Sequence, residues 1–469
     1  MMIARKFLIP IIIITMLPLL TPNAQAAEPF VGLVAKTALL AEVDTGAVLF
    51  DYNMNAQYPV DSLAKVMTLI IALAAVENDE ASIDEIVVMT ESARTGISPP
   101  TSNALRITAG EEMTLLELMY CAFIGGVNEA CNLIAEHIAG SIEAFVEMMN
   151  EQAVLLGCMN TNFTNAHGQY NANQYTTASD MFLIYREALC YSYFEDISGT
   201  YRYTVSETNK AVQRRLTATN SLLNIGGKYF YRPCTSGLAS ITYEGGHSFA
   251  GFAESDGLSL IVIIFGSDVI MFPDQSAEMR NLTEAARLFA WGFASYSWRT
   301  ILSQSDLVAR APVKSGAGAD YINLRPESEI ILLLDNDISE KDFTLRVVLY
   351  NDETENPLIA PVEADAALGE VTVTRYDPVT GRTVSYGTIR LLANTGVEMN
   401  RLEYIRIQVA DVLSGSIARG IIWSLFILVA LYAALVIRYN IVRLRRIRRV
   451  REAKRKLIEE RRQEESGWD

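Results

Sequence analysis

Ser62 and Lys65 are the two residues of this chain best placed by type and spacing to do covalent chemistry. They stand three positions apart at the start of Ser62-Leu-Ala-Lys65-Val-Met-Thr-Leu-Ile-Ile-Ala-Leu-Ala-Ala-Val76, where nearly every other side chain is apolar. On a helix, side chains at that spacing share a face and meet. A lysine in apolar surroundings loses the solvation of its charged form. Its pKa then falls, and the neutral amine can take a proton from a hydroxyl. Ser62 at the helix N-terminus would also have backbone N–H groups nearby to stabilise an oxyanion. Such a pair suits nucleophilic acyl transfer, although Ser-x-x-Lys alone occurs in many proteins. His137, His167 and His247 are scattered, so neither a Ser-His-Asp triad nor a histidine metal site is indicated. Cys121, Cys131, Cys158, Cys190 and Cys234 are odd in number and lack a Cys-x-x-Cys pair. They are expected to be buried free thiols, and no metal or other cofactor is implied.

The elements that must hold this pair follow from the hydrophobic pattern. Residues 33–51 read as strand, Asp44-Thr-Gly46 turn, strand. The segment from Ser62 to Val76 is apolar on nearly all faces, the mark of a buried central helix. Helices are expected at 114–124 and 129–156, separated by Gly125-Gly126. Strands are expected at 229–231, 249–254 and 258–265, and a helix at 277–293. Strands, then helices, then strands and a helix predict an α+β domain with helices packed on an antiparallel sheet. Pro312 to Ala319 reads as a linker. Beyond it, 329–334, 343–350, 371–374 and 384–392 predict a small all-β domain, with Phe343, Leu345, Val347 and Leu349 alternating.

The stretch Tyr58-Pro-Val-Asp-Ser62-Leu-Ala-Lys65-Val-Met-Thr68 resembles the nucleophile motif of the D-alanyl-D-alanine carboxypeptidases, low-molecular-weight penicillin-binding proteins of serine peptidase family S11. Asp44-Thr-Gly46, Met149-Asn150, Asn160-Thr-Asn-Phe163, Asn165-Ala-His-Gly168 and Thr176-Thr-Ala-Ser-Asp180 agree in order. Pro357-Leu-Ile-Ala-Pro361 and Leu368-Gly-Glu-Val-Thr-Val373 resemble the family's C-terminal β domain, so the likeness runs over residues 28–400. It implies a penicillin-binding-protein/β-lactamase-like transpeptidase domain, a peptidoglycan stem peptide ending in D-Ala-D-Ala as substrate, and β-lactams as covalent ligands. By motif, Ser62 is the nucleophile, Lys65 its general base, and Asn128 the residue that binds the substrate amide.

Two motif positions depart from that pattern. Gly126 stands where the family has the serine of Ser-x-Asn, so a relay hydroxyl is absent. The third motif, Lys-Thr-Gly, falls at or within one residue of Ala239-Ser240-Ile241 when counted from Glu244-Gly-Gly246, or at Thr235-Ser236-Gly237 when matched by type. Under either register the lysine is missing; Lys228 and Arg232 are the cations nearby in sequence. Ser240 or Ser236 offers a hydroxyl, and Ser240 and Gly237 are the candidate substrate-binding residues. Two functions are therefore compatible with the sequence. One is a working, slowed serine carboxypeptidase; the other is a degenerate member acting as a membrane-anchored cell-wall-binding or scaffold protein.

Charge and hydropathy place the chain. The net charge of −16 divides into a body of −24, a leader of +2 and a C-terminal tail of +6. An acidic body argues against a nucleic-acid partner. Residues 1–26 read as a signal peptide, Arg5-Lys6, an apolar run and Ala24-Gln-Ala26, with an uncleaved anchor as the other reading. Residues 420–437 carry no charge and can span a bilayer, and the arginine-rich 438–469 follows. The positive-inside rule puts that tail in the cytoplasm and the body outside, in a single-pass cell-membrane protein. Ile441, Leu444, Ile447 and Val450 recur in the tail as an amphipathic basic helix, either resting on anionic lipid or simply solvated. The expected domains are 28–300, peptidase-like, and 313–405, β-sandwich-like.

Overall fold

The computed structural model describes residues 33–97, 105–242, 244–271, 277–351, 356–378, 380–414 and 416–465, and the leader expected at 1–26 lies outside them. The chain divides into two compact units, the first being 1–301 with 330–343 and 375–384, the second 302–329, 344–374 and 385–469.

The first unit is built on strands β1 (Thr37–Glu42) and β2 (Val48–Tyr52), helices α1 (Ala64–Glu77), α2 (Leu115–Phe123), α3 (Asn128–Ala139), α4 (Ile142–Leu155) and α5 (Ala178–Ala188), strands β3 (Cys234–Thr242), β4 (Gly246–Ser255) and β5 (Leu258–Ser267), and helix α6 (Arg280–Ser295). The strands form one antiparallel sheet in the order β2-β1-β5-β4-β3. Alternation decides which side chain faces which layer. Leu39, Ala41, Ile261, Ile263 and Phe265 face the helical layer around α1, whereas Ala38, Leu40, Leu260, Val262 and Ile264 face α6. Both sheet faces are thus covered, which is why β1 and β5 read as continuous apolar runs.

Helix α1 is buried over almost its whole length, as its all-round apolarity predicts. Helix α2 starts on a capping box, with Thr114 Oγ1 accepting from Glu117 N at 3.1 Å. The long helix expected at 129–156 is two helices, because Gly140 adopts φ +79° and Ser141 caps α4. Tyr229–Tyr231 is not a strand. Its tyrosines instead pack from a loop on the α6 side of the sheet, Tyr231 stacking on Phe289 at 6.2 Å. Among the cysteines Cys190 is exposed, contrary to expectation, and the other four are buried; all five are free thiols.

The second unit holds most of a sheet of β6 (Ala309–Pro312), β7 (Tyr321–Pro326), β8 (Phe343–Leu349), β9 (Ala367–Asp377) and β10 (Arg382–Ala393), in the order β6-β7-β10-β9-β8. The expected linker is part of this unit. Val313 N bonds to Asp320 O, Lys314 N to Leu358 O and Ala317 N to Glu398 O, and its Gly and Ser residues serve tight turns at Ser315 (φ +59°) and Gly318 (φ +80°). The segment 329–334 joins neither this sheet nor this unit; as strand Ile330–Asp335 it pairs with Tyr296–Leu302. Helices α7 (Arg401–Ser414) and α8 (Ser416–Glu465) complete the chain. Among the described residues one helical stretch, Arg419–Glu459, is long and apolar enough to cross a membrane.

Candidate active site

Ser62 lies in a short 3-10 turn, Asp61–Leu63, that leads directly into α1. It is half-buried, while Lys65, one turn further on, is 1% exposed. The Lys65 ammonium donates to Asn128 Oδ1 at 3.1 Å and to the backbone carbonyl of His167. Three elements therefore meet at one amine: the start of α1, the first residue of α3, and the loop before α5. Burial pushes Lys65 below its ordinary value, while the neighbouring Cys131 and Asp61 pull it back. A lysine held this way is closer to the neutral, proton-accepting form than a solvated one.

The loop 165–168 is fixed by its own polar atoms. Asn165 Oδ1 accepts from Gly168 N at 2.7 Å, and Thr68 Oγ1 donates to the Ala166 carbonyl at 2.5 Å. His167 is neutral, since burial drives its pKa down to about 3, and its Nδ1 accepts from Gln169 N. Gly168 has φ +81°, and a Cβ there would lie 1.8 Å from the Asp61 carbonyl oxygen and 3.0 Å from Ser62 Cα. The loop thus presses on the serine turn with no room for a side chain.

The edge strand β3 forms the opposite wall. Ser62 N donates to Ser240 Oγ at 3.3 Å, so Ser240 is the hydroxyl of β3 that reaches the serine. Gly237 lies three positions earlier, paired with Gly251, roughly 10 Å along the strand. Ser236 is turned to the Tyr185 hydroxyl at 2.9 Å. Lys228 places its ammonium 5.0 Å over the ring of Tyr229, and Arg232 is exposed.

Taken together, a serine at a helix start, a buried amine on the next turn and a hydroxyl on an edge strand can form and break an acyl bond. A profile of the D-alanyl-D-alanine carboxypeptidases, peptidase S11, matches residues 23–269. The chain belongs to this family. It is 27% identical over 336 residues to the D-alanyl-D-alanine carboxypeptidase DacF of Bacillus subtilis, covering 71% of this chain and 80% of that one. To DacA of Escherichia coli it is 24% identical over 332 residues, covering 69% and 76%. In fold it is similar to penicillin binding protein 6B of Escherichia coli, with TM-score 0.58, 19% identity, and 80% and 99% of the two chains covered. Penicillin binding protein 5 of Haemophilus influenzae gives 0.55 at 22%, covering 81% and 99%. The α+β fold expected from the sequence is therefore the one found, and the chain is a member of a family of serine peptidases.

Within this carboxypeptidase fold, Gly126 has φ +63°, and a Cβ there would meet nothing within 4 Å. Space for a side chain exists at that position, although the backbone favours glycine. One group did not stand out in the sequence. Asp61, next to Ser62, is 1% exposed with φ +50°. Thr242 Oγ1, at the end of β3, donates to its Oδ2 at 2.8 Å, and Oδ1 is buried without a hydrogen-bond partner among the described residues. Burial is the main reason its pKa is raised to about 7. A charge preceding Ser62 in an apolar context was the available signal. Its burial under the β3–β4 turn depends on a residue 181 positions away.

Proposed function

We propose that this protein cleaves the terminal D-Ala from peptidoglycan stem peptides through an acyl-enzyme on Ser62. Ser62 Oγ attacks the carbonyl of the penultimate D-Ala while its proton passes to Lys65. The C–N bond then breaks, and the leaving amine takes the proton. Water releases the acyl group by the reverse sequence. Asn128 holds the Lys65 amine, and Ser240 lines the strand side of the substrate groove. The observation that carries this reading is the buried Lys65 amine, one turn from Ser62 and fixed by Asn128 and the His167 carbonyl.

Turnover is slow in this proposal, because Gly126 supplies no relay hydroxyl and β3 carries no lysine. Those same two positions favour the second reading, a membrane-anchored protein that binds cell wall without turning it over. A fluorescent penicillin separates the two. With the detergent-solubilised full chain, a covalent label that disappears in Ser62→Ala supports the enzyme, and no label at high concentration removes it. We place residues 28–300 and 313–405 outside the cell as peptidase-like and β-rich domains, 420–437 across the membrane, and the basic 438–469 inside. Protease added to intact cells should leave a fragment containing the arginine-rich tail; its digestion would refute this topology.

A further inference from the structure

We propose that Asp61 is a positioning residue for acylation: with Thr242 it ties the turn carrying Ser62 to the end of β3, and so fixes how the nucleophile faces that strand. The inference rests on Ser62 being the nucleophile. Two adjacent residues of the turn are joined to two alternate residues of the strand. Ser62 N donates to Ser240 Oγ at 3.3 Å, and Thr242 Oγ1 donates to Asp61 Oδ2 at 2.8 Å. Ser240 and Thr242 lie on one face of β3, about 7 Å apart along it. A single bond would leave the turn free to pivot against the strand. A second bond, displaced along the strand, removes that freedom. The bond to Asp61 is the shorter of the two and has a carboxyl oxygen as acceptor, which when ionised makes the stronger kind of hydrogen bond.

Both ends of this tie are themselves held. Thr242 Oγ1 accepts from Gly245 N at 2.9 Å, and β3 is paired with β4 at Thr242–Gly246 and Ser240–Ser248. Gly245 lies so close that a Cβ there would fall 1.8 Å from Asp61 Oδ2, and one on Gly168 would fall 1.8 Å from the Asp61 carbonyl oxygen. Asp61 is 1% exposed, takes φ +50° and leaves Oδ1 without a hydrogen-bond partner among the described residues. A left-handed backbone and an unpaired buried oxygen both cost stability. Such local costs beside a nucleophile are what functional positioning accounts for. Acylation is sensitive to it, because the reacting atoms must approach to about 3–3.5 Å and a misplacement of about 1 Å can cost about 10²-fold.

The test uses the full-length protein in detergent and a fluorescent penicillin at saturation. The labelled fraction reports how much protein is folded, and the rate constant per labelled Ser62 reports positioning. Asp61→Asn and Asp61→Ala both remove the charge that pulls Lys65 upward, whereas asparagine alone keeps an acceptor for Thr242. With Thr242 in place, the asparagine variant should acylate about tenfold faster than the alanine variant. When Thr242→Val is added to each, the two rates should agree within about twofold. The strain of alanine at a positive φ is present in both backgrounds and cancels from the comparison. Asp61→Gly, which suits φ +50°, replaces the alanine variant if that one gives no labelled protein. A ratio near unity in both backgrounds, or near tenfold in both, with Ser62 of the unmodified protein still labelled, overturns this inference alone. No adduct at Ser62 in the unmodified protein overturns the nucleophile reading and this inference with it.

Discussion

The two walls facing Ser62 are built in opposite ways. On the helical side, a single cation, Lys65, is buried and fully engaged by Asn128 and the His167 carbonyl. On the strand side β3 offers hydroxyls: Ser240 accepts from Ser62 N, and Thr242 donates to Asp61, the buried acid that precedes Ser62 in its own turn. The helical wall holds a desolvated amine on the helix turn that follows Ser62. The strand wall keeps a hydroxyl at Ser240 and carries no lysine along Cys234–Thr242. The amine and the strand hydroxyl can therefore be altered separately, because α1 carries one and β3 the other.

The largest effects should come from the helical wall. Lys65→Met removes the base and leaves Asn128 Oδ1 and the His167 carbonyl without their donor. The rate of covalent labelling by penicillin should fall by about 10³-fold or more. Labelling as fast as in the unmodified protein would mean that Lys65 is not the base. Asn128→Ala removes one of the two acceptors that fix the buried Lys65 amine, leaving the His167 carbonyl, and a loss on the order of 10²-fold is expected in the same assay.

A stability difference should separate the walls as well. Gly168→Ala puts a Cβ against the Asp61 carbonyl at a positive φ, and should destabilise the first unit by about 3 kcal/mol. Urea unfolding followed by tryptophan fluorescence would measure it. Asp61 gives a pH-dependent counterpart. Its folded pKa, about 7, lies above the unfolded value of about 3.9. The folded state therefore binds more protons in that window. This contribution is fully present below about pH 4 and is lost as pH rises through 7, with an upper bound of about 4 kcal/mol. The urea midpoint should be higher at pH 5 than at pH 8, and Asp61→Asn should shrink that difference. Equal shifts in both proteins would assign the pH dependence elsewhere.

The smallest expected effect is at Gly126. Serine there meets open space but must adopt φ +63°, at a cost of about 1–2 kcal/mol. Turnover should rise a few-fold as a hydroxyl returns to the groove, read as release of D-alanine. No change in turnover with a lowered urea midpoint would show that the missing relay does not limit the rate.

Much of the first unit is legible because its signals are local. An apolar segment interrupted only by Lys65 declares a buried helix with one desolvated amine, and Thr114 with Glu117 declares the start of α2. Tyr229–Tyr231 was misleading because aromatic residues read alike in a strand and in a loop that packs on a sheet. The segment 312–319 was misleading because Gly, Ser and Pro mark tight turns inside a domain as readily as linkers between domains.

By itself, the sequence determined the family, the α+β pattern and the pairing of Ser62 with Lys65, since three-residue spacing on a helix fixes which side chains are neighbours. Only the tertiary structure decided what surrounds that pair. The carbonyl of His167 reaches Lys65 across 102 positions of chain, and Ser240 reaches Ser62 across 178. Neither contact has a local signature, because strand register and loop packing are set by the whole core. Tertiary packing also turned Asp61 inward, where a carboxylate that would be ordinary in water is buried under the β3–β4 turn.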